Sequence, residues 1–191
     1  YGDGNAISKF LFANESTTTD VGNLTVAAHG AGHAGCSSWD YGGFVFGGFQ
    51  GGPGDPNTNV IDKFLFASDG NASDHADLTF PMRDMNGQSG LTHAYAAFGY
   101  RGASGPYVAD IQKFPYASQT NSVDVGDISF QRGLSSGTSS TTHGYSAGGI
   151  DTAPAKVTRI SKNSHVSDGN EVDVADLTVA RSHFSGTGTQ I

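Results

Sequence analysis

The chain has 191 residues, of which 28 are Gly and 6 are Pro, and it carries a formal net charge of −8 with 15% charged residues. Leu, Ile, Val and Phe make up about 20% of it, which is at the edge of what a packed core needs, but 12 Phe, 7 Tyr and one Trp argue against disorder. The acidic balance excludes a nucleic-acid footprint, no stretch approaches the ~20 apolar residues of a membrane span, and the single cysteine excludes an intrachain disulfide framework.

Four repeats with a spacing of about 50 residues organise the chain. The first block of each repeat starts with Ile, at residues 7, 61, 111 and 160, and the third residue is always Lys. A second block begins with Asp and a third block ends in Gly, and both recur with matching spacings. The blocks cover residues 7–13, 61–67, 111–117 and 160–166, then 20–26, 74–80, 124–130 and 173–179, and finally 42–48, 93–99 and 143–149.

Each block has the pattern of a short strand. The first block alternates apolar and other residues and is followed by a turn cluster such as 68–71, which predicts a strand that ends in a turn. The second block, with the pattern Asp-Leu-Thr-Phe, predicts a shorter strand. The Ser/Gly/Thr run of residues 135–140 suits a crowded inner strand, and the glycines of the third block predict close backbone packing. No window shows a sustained helical stripe, so each repeat is expected to form four strands.

Four strands in about 50 residues is the period of a kelch-type β-propeller blade, whereas solenoid repeats, the competing architecture, are usually shorter. The repeats resemble kelch and galactose-oxidase central-domain blades, because the glycine pairs Gly47-Gly48 and Gly148-Gly149 come after an aromatic residue. The second repeat departs from that pattern with Phe98-Gly99, and the Trp that kelch repeats usually carry further on is absent. The resemblance covers the whole chain and implies one all-β propeller domain over residues 1–191.

The longer phrase Ile-Asp-Lys-Phe, Ser-Asp-Gly-Asn, Asp-Leu-Thr-Val-Ala-Arg and Thr-His-Gly-Tyr is similar to kelch-like repeats of phage structural and tail-fibre proteins. This likeness implies a viral structural protein located on the virion or outside the cell. It implies assembly with other structural chains, an oligomeric state and recognition of a cell-surface glycan. It implies no enzymatic activity, no cofactor and no insertion into a membrane.

The ends of the sequence do not complete a fourth repeat. Six residues precede Ile7 and 12 follow Val179, which is about 12 residues, or one strand and a turn, short of a full unit. The missing piece corresponds to the His-Gly-Tyr-x-x-Gly-Gly strand, so the chain is expected to begin and end inside a blade. Either it is a segment of a longer structural protein, or it is a four-bladed ring whose strand is absent or supplied by another chain.

Recurrent acidic residues are the most prominent candidates for a metal site. Their spacing does not match the dense Asp-x-Asp-x-Asp-Gly pattern of a calcium loop, and Asn23 replaces one of them in the first repeat. Asp side chains also cap turns by accepting hydrogen bonds from their own backbone, which is the favoured interpretation here. The pairs are Asp74 and Asp77, Asp124 and Asp127, and Asp173 and Asp176.

The histidines and the cysteine are assigned structural roles. His93 and His143 occupy aligned positions at the start of the same predicted strand, which indicates repeated packing. His29 and His33 lie four residues apart, but the glycines between them disfavour the helix that a zinc pair would need. Cys36 lies near Trp39 and is expected to be a small buried residue, because nothing identifies a copper ligand set around it.

Arg132 and Arg181 occupy aligned positions after the second block, and Arg83 is displaced from that alignment by one residue. A repeated Arg predicts a hydrogen bond between blades, to carbonyl oxygens or to the Asp loops.

Binding residues are expected in the loops, where variation on a rigid scaffold usually carries recognition. The first repeat has about three residues more than its equivalents between Val26 and Gly47. Exposed aromatic residues there would stack on a sugar, although Trp39 would serve equally well as a core residue. The candidate binding residues are Trp39, Tyr41, Tyr100, Arg101 and Tyr107. A cellular kelch-type interaction scaffold and the propeller part of a larger enzyme are the alternative functions.

Overall fold

The computed structural model describes residues 4–11, 13, 17–27, 32–51, 54, 56–102, 105 and 107–185, and it is an all-β structure. Three four-stranded antiparallel sheets follow one another along the chain, and each has its strands in sequence order. We call them the first, second and third sheets, and the two-stranded sheet before them the N-terminal sheet. The strands of the N-terminal sheet are β1 (Ala6–Lys9) and β2 (Thr19–Asn23). The first sheet contains β3 (Ala34–Ser38), β4 (Gly42–Phe46), β5 (Val60–Phe64) and β6 (Ser73–Asp77).

The second sheet contains β7 (Asn86–Ser89), β8 (His93–Tyr100), β9 (Tyr107–Pro115) and β10 (Val123–Asp127). The third sheet contains β12 (Ser136–Ser139), β13 (His143–Ala147), β15 (Arg159–Ser164) and β16 (Val172–Asp176), and the short strands β11 (Arg132–Gly133) and β14 (Ile150–Asp151) pair with each other beside it. The expectation of four strands per repeat is therefore confirmed for these three sheets, including the small-residue inner strand at β12.

The predicted strand over Asp-Leu-Thr-Phe is wrong in its position. The fourth strand of each sheet ends at the residue before Leu or Ile, as β6 does at Asp77. Leu78 N–H still donates to Asn59 O at 2.7 Å, but the next amide, of Thr79, donates to Gln112 Oε1 of the following sheet at 2.8 Å. The strand ends there because its backbone turns toward the neighbouring sheet.

The departure from the glycine pair at Phe98 changes the hairpin that follows it. Gly47 and Gly148 have φ values of 62° and 59° and lie just past the ends of β4 and β13. Phe98 takes a φ of 35° at the same position, is fully buried, and forms a bulge through which β8 continues to Tyr100. Among the described residues, the strands of the second sheet extend furthest into this hairpin, which joins β8 to β9.

The sheets stack through their first strands, where glycines let two backbones approach closely. A Cβ on Gly87 would collide with the carbonyl oxygen of Gly35, and one on Gly137 would lie 2.5 Å from that of Gly87. Ser37 N–H donates to Ser89 Oγ at 3.2 Å and Ser89 N–H donates to Ser139 Oγ at 2.8 Å. These contacts match the strands in register, so equivalent turns of the three sheets lie at the same end of the stack.

Asparagine side chains join the outer edges of the sheets. The Oδ1 atoms of Asn71, Asn121 and Asn170 accept hydrogen bonds of 3.0–3.1 Å from the amide of the final residue in the last strand of the preceding sheet. The residue after each Asn donates its N–H to the carbonyl of that same strand-terminal residue, at 2.8–2.9 Å. The same two-bond contact thus connects all four sheets.

The segments that connect one sheet to the next are joined to each other by a series of backbone hydrogen bonds. His183 N–H donates to Leu134 O, Leu134 N–H to Asp84 O, and Asp84 N–H to Gly32 O, at 2.9–3.0 Å. All four residues have positive φ, although three of them are not glycine. The backbone is held in this conformation because each residue bonds the equivalent residue of the next repeat.

The main apolar core lies between the first and second sheets. Phe44, Phe46 and Phe114 are buried there with ring centroids 5.4–5.9 Å apart, and Tyr116 packs on Phe44 at 5.1 Å. A second cluster, which includes Tyr95 and Ile111, fills the next interface. Among the described residues, no helix has the length and apolar character that crossing a membrane would require.

Candidate functional site

The five predicted binding residues lie at opposite ends of the stack. Trp39 and Tyr41 occupy the turn between β3 and β4, whereas Tyr100, Arg101 and Tyr107 belong to the β8–β9 hairpin. In an antiparallel sheet with strands in sequence order, the turn after the first strand and the turn after the second strand lie at opposite ends. The structure therefore forms two separate groups from these residues.

Trp39 is the most exposed large apolar residue described, with 95% of its surface accessible. Its turn is one residue longer than the equivalent turns, because seven residues separate the paired Cys36 and Phe44 but six separate Gln88 and Tyr95. The rest of the extra length falls within or beside residues 28–31, including His29, which lie outside the described residues. The added residue thus projects the indole into solvent, and the alternative of a core Trp39 is wrong.

The turn that carries Trp39 is held in place by the packing of Tyr41 and by the close approach of Gly42 to β5. Tyr41 is half-buried and stacks on Tyr116, with centroids 5.9 Å apart and ring planes at 26°. Lys63 Nζ lies 5.6 Å from the Tyr41 centroid. Gly42 has a φ of 106°, and a Cβ there would collide with the Phe64 carbonyl oxygen. Tyr41 therefore supports the turn, and Trp39 is the residue that it presents.

A groove of about 380 Å³ runs beside Trp39. Its walls include Leu65 and Phe66, which follow β5 and are 55% and 56% exposed. The acidic residue Asp40 also lines this groove. A solvent-facing indole next to apolar walls and an acidic rim suits a ligand that has both apolar faces and polar edges.

The β8–β9 hairpin uses its aromatic residues for packing. The guanidinium of Arg83 lies between the rings of Phe49 and Tyr100, 4.8 and 4.9 Å from their centroids. Tyr107 packs against Tyr100 at 5.3 Å, and burial raises the pKa of Tyr107 above its usual range. Arg101 lies over the ring of Phe80, 4.1 Å from its centroid. This group stabilises the hairpin through cation–π contacts.

A cluster of titratable residues that the sequence did not reveal lies between the second and third sheets. The ring of His165 stacks on Tyr95, with centroids 4.2 Å apart and planes at 9°. Tyr95 Oη lies 3.3 Å from Asp168 Oδ1, and the other carboxylate oxygen of Asp168 pairs with Lys113. His165 aligns with Tyr116 of the preceding repeat, but the first block of the fourth repeat has diverged and carries His at this position, so the alignment did not single it out.

Burial lowers the pKa of His165 to about 4 from its ordinary value of 6.5, and nearby His143 adds to the effect while Asp168 opposes it. The unfolded chain therefore takes up a proton near pH 6.5 that the folded chain takes up only near pH 4. The stability that results is complete above pH 6.5 and declines as the pH falls from 6.5 to 4.

We expect His165→Gln to reduce this pH dependence. The midpoint of urea unfolding should fall less in the variant than in the wild-type protein between about pH 7.5 and about pH 5. The difference between the two proteins in the change of the urea midpoint with pH isolates His165, because the other titratable groups are the same in both proteins. The same change of the urea midpoint with pH in the two proteins would contradict the assigned burial of the imidazole.

The recurrent aspartates match the expected turn caps only in part. Asp20 Oδ1 and Asp124 Oδ1 accept hydrogen bonds of 3.1 Å from the amides two residues later, at Gly22 and Gly126. These bonds of an Asp side chain to its own backbone are present within strands rather than in turns.

Asp173 instead forms an ion pair with Arg159 at 3.1 Å, and Asp176 accepts a hydrogen bond from Thr158 Oγ1 at 2.6 Å. Asp62 accepts two bonds from Thr25 of the N-terminal sheet, at 2.6 and 2.8 Å. Within the described residues, no three His, Cys, Asp or Glu side chains come together as a metal site would require.

The two aligned histidines take the predicted places, whereas Cys36, which was expected to be buried, is only half-buried. His93 and His143 begin β8 and β13, and their Nδ1 atoms lie 2.8 and 2.9 Å from the hydroxyl of the preceding Thr. His33 Nδ1 lies 3.2 Å from Gly47 O. Cys36 is half-buried on β3 beside the main core, and burial raises the pKa of its thiol well above the usual range.

The prediction for the arginines is confirmed at Arg132, which is fully buried between the second and third sheets. Its Nη2 donates to Ser161 Oγ at 2.9 Å and to Ser146 O at 3.4 Å, and it lies 3.6 Å from Glu171 Oε2. Arg181, at the aligned position, is exposed and donates to Val179 O at 3.4 Å. Arg83, which the alignment displaces by one, donates to Asn57 Oδ1 at 3.2 Å.

Comparison with known proteins adds no relative: no protein-family model matches the sequence, and no curated protein matches it significantly. The class that fold and site define is therefore an all-β repeat protein with an exposed aromatic turn. The kelch-like resemblance of its repeats stays a prediction.

Proposed function

We propose that the chain is a group of kelch-like β-propeller blades that acts as a non-enzymatic structural and adhesive module. The repeated strand order, the stacking of first strands through glycine and the recurrent Asn contacts between outer edges support this architecture. A phage tail fibre or virion appendage, assembled with other chains outside the cell, is the context we propose for it.

Within this function, the turn at Trp39 is the proposed adhesive site and a cell-surface glycan its ligand. The observation that carries the proposal is the 95% exposure of Trp39 on a turn held by stacking of Tyr41 on Tyr116. An aromatic face offered in a fixed position binds a flat, C–H-bearing sugar face at little cost in conformational entropy. Asp40 lines the same groove, and a carboxylate there would accept hydrogen bonds from sugar hydroxyl groups.

Glycan-array binding by the wild-type protein, by Trp39→Ala and by Leu91→Ala tests this proposal. Leu91 is a matched control, because it is 64% exposed on the equivalent turn of the second sheet. We expect Trp39→Ala to weaken binding at least about tenfold, as loss of a stacking residue does, and Leu91→Ala to leave it unchanged. Absence of any glycan binding, or equal losses in both variants, would contradict the proposal.

A protein-interaction scaffold is the second candidate function. The observation that favours it is the run of exposed apolar residues at the same end of the stack, Phe10, Leu11, Leu65 and Phe66, each more than half exposed. Such a surface suits a protein partner more than a sugar. Capture of a defined protein partner that depends on Leu65 and Phe66 but not on Trp39 would favour this candidate over the first.

A further inference from the structure

The third strand of each complete sheet pairs on both sides. β5 lies between β4 and β6, β9 between β8 and β10, and β15 between β13 and β16. β1 occupies the equivalent place in the first repeat, because Ile7 and Lys9 align with Ile61 and Lys63. Among the described residues, β2 is the one strand that pairs with β1.

The second strand of each complete sheet pairs with the inner side of the third strand, and the same types of residue face each other in all three sheets. An aromatic residue lies opposite the Lys in all three sheets: Phe44 opposite Lys63, Tyr95 opposite Lys113, and Tyr145 opposite Lys162. Two residues further along, an apolar residue lies opposite the Ile: Phe46 opposite Ile61, Ala97 opposite Ile111, and Ala147 opposite Ile160. β1 carries Ile7 and Lys9 at the same spacing, so it has the register for such a strand.

β1 and β2 also make the same contacts to the first sheet that complete sheets make to their neighbours. Lys9 forms an ion pair with Asp69 of the first sheet, as Lys113 does with Asp168 of the third. Asn23, at the end of β2, accepts from Ala72 N–H at 2.8 Å, as Asp77 accepts from Ser122 N–H at 2.9 Å in the next sheet. The inner edge of β1 is therefore preorganised beside its neighbour.

A groove of about 230 Å³ lies along this edge, with Ile7, Phe10, Phe64 and Phe66 in its walls. The equivalent space between the first and second sheets is filled. Tyr116 occupies there the position of Phe66 and is fully buried against Tyr41 and Phe44, whereas Phe66 is 56% exposed. The groove thus continues an interface that is already formed one repeat further along.

We propose that the inner edge of β1 and this groove accept a β-strand from another polypeptide chain. The strand runs antiparallel to β1, places an aromatic residue opposite Lys9 and a small or apolar residue opposite Ile7, and is otherwise rich in Gly and Ser, as β13 is. Its backbone groups pair with the open edge and its aromatic ring fills the groove, which is recognition by strand addition. This inference rests on the assembly part of the proposed function and is independent of glycan binding.

A labelled peptide with the sequence of residues 142–149, Thr-His-Gly-Tyr-Ser-Ala-Gly-Gly, is the probe for this site. We expect saturable binding to the full chain by fluorescence anisotropy, and slower hydrogen exchange of the amides of residues 6–9 when the peptide is present. A peptide in which the Tyr is replaced by Ser should bind at least about tenfold more weakly.

Variants of the chain locate the binding edge. Ile7→Asp should abolish peptide binding, whereas Val174→Asp, on the exposed outer strand β16, should leave it unchanged. Thermal unfolding of both variants reports whether the fold persists, and the exchange measurement on the wild-type protein decides the question if Ile7→Asp does not fold.

Two outcomes would overturn the proposal: no peptide binding, or exchange protection away from residues 6–9. Peptide binding that survives in Trp39→Ala, while glycan binding is lost, separates this site from the adhesive one.

Discussion

Replacement of Arg132 by Met is expected to lower the free energy of unfolding by about 3–5 kcal/mol, because it leaves the carboxylate of Glu171 buried without its charge partner. Arg132 is fully buried, and the side chain of Glu171 is 1% exposed. Burial lowers the pKa of Arg132 and raises the pKa of Glu171, while the attraction between the two groups opposes both shifts. Urea unfolding monitored by circular dichroism measures the loss.

The neighbouring repeat indicates how the loss can be restored. Met82 occupies the aligned position between the first and second sheets and is fully buried. Gln112 Nε2 lies 3.9 Å from its sulfur, and Ser122, which aligns with Glu171, donates to Gln112 Oε1 at 2.7 Å. At these aligned positions, the interface between the second and third sheets therefore has two opposite charges, and the interface between the first and second sheets has none. The double variant Arg132→Met with Glu171→Ser should recover most of the stability that the single variant loses.

Arg181→Met is the matched control, because Arg181 aligns with Arg132 but is exposed. Its free energy of unfolding should stay within about 0.5 kcal/mol of the wild-type value. Similar losses in Arg132→Met and Arg181→Met would show that the charge pair is not what stabilises this interface, and failure of the double variant to recover would point to the shape of the Arg side chain instead.

The strands were predictable from the sequence because the repeat displays each pattern several times. The first block fails the alternation rule at Pro115 and again at Ser164, yet its alignment with Ile61 and Lys63 identifies the strand in every repeat. The glycines of the third block and the small residues of the inner strand were also informative, since close backbone approach leaves few other residue types that fit.

The candidate site was predictable only in part. The extra length of about three residues between Val26 and Gly47 indicated variation near Trp39. The sequence did not show that Tyr41 stacks on Tyr116, which lies 75 positions further along the chain and supports the turn. The cluster around His165 was not visible, because the stack of His165 on Tyr95 requires knowing which blocks of neighbouring sheets face each other. The pair of Arg132 and Glu171 was hidden for another reason: the preceding repeat has Met82 and Ser122 at these positions, so no charge pattern repeats.

The end of the fourth strand shows a similar limit. Asp-Leu-Thr has the composition of a strand, and its Leu is buried as a strand residue would be, at 2% exposure for Leu78. The amide of the following Thr nevertheless bonds to the next sheet. At the end of β6, a hydrogen bond to the next sheet therefore takes the place of the next bond of the ladder.

A second large effect is expected from Gly87→Ala, which should lower the free energy of unfolding by about 3 kcal/mol. The added Cβ would meet the carbonyl oxygen of Gly35 well inside van der Waals distance, with the Gly35 carbonyl carbon at 2.8 Å. Both atoms belong to the backbone of another sheet, so neither can move without shifting β3 against β7. The φ angle of Gly87 is not positive, and the effect is therefore steric rather than conformational.

Gly35→Ala provides a control at the same contact. A Cβ on Gly35 would meet only Phe44 O, at 3.5 Å, which is an ordinary contact, so this variant should match the wild-type stability or exceed it slightly through the loss of unfolded-state entropy. Thermal or urea unfolding of the two variants distinguishes a directional backbone collision from a general intolerance of side chains between the sheets. Equal destabilisation by both variants would contradict the stacking geometry, because only one of the two added methyl groups points into the neighbouring backbone.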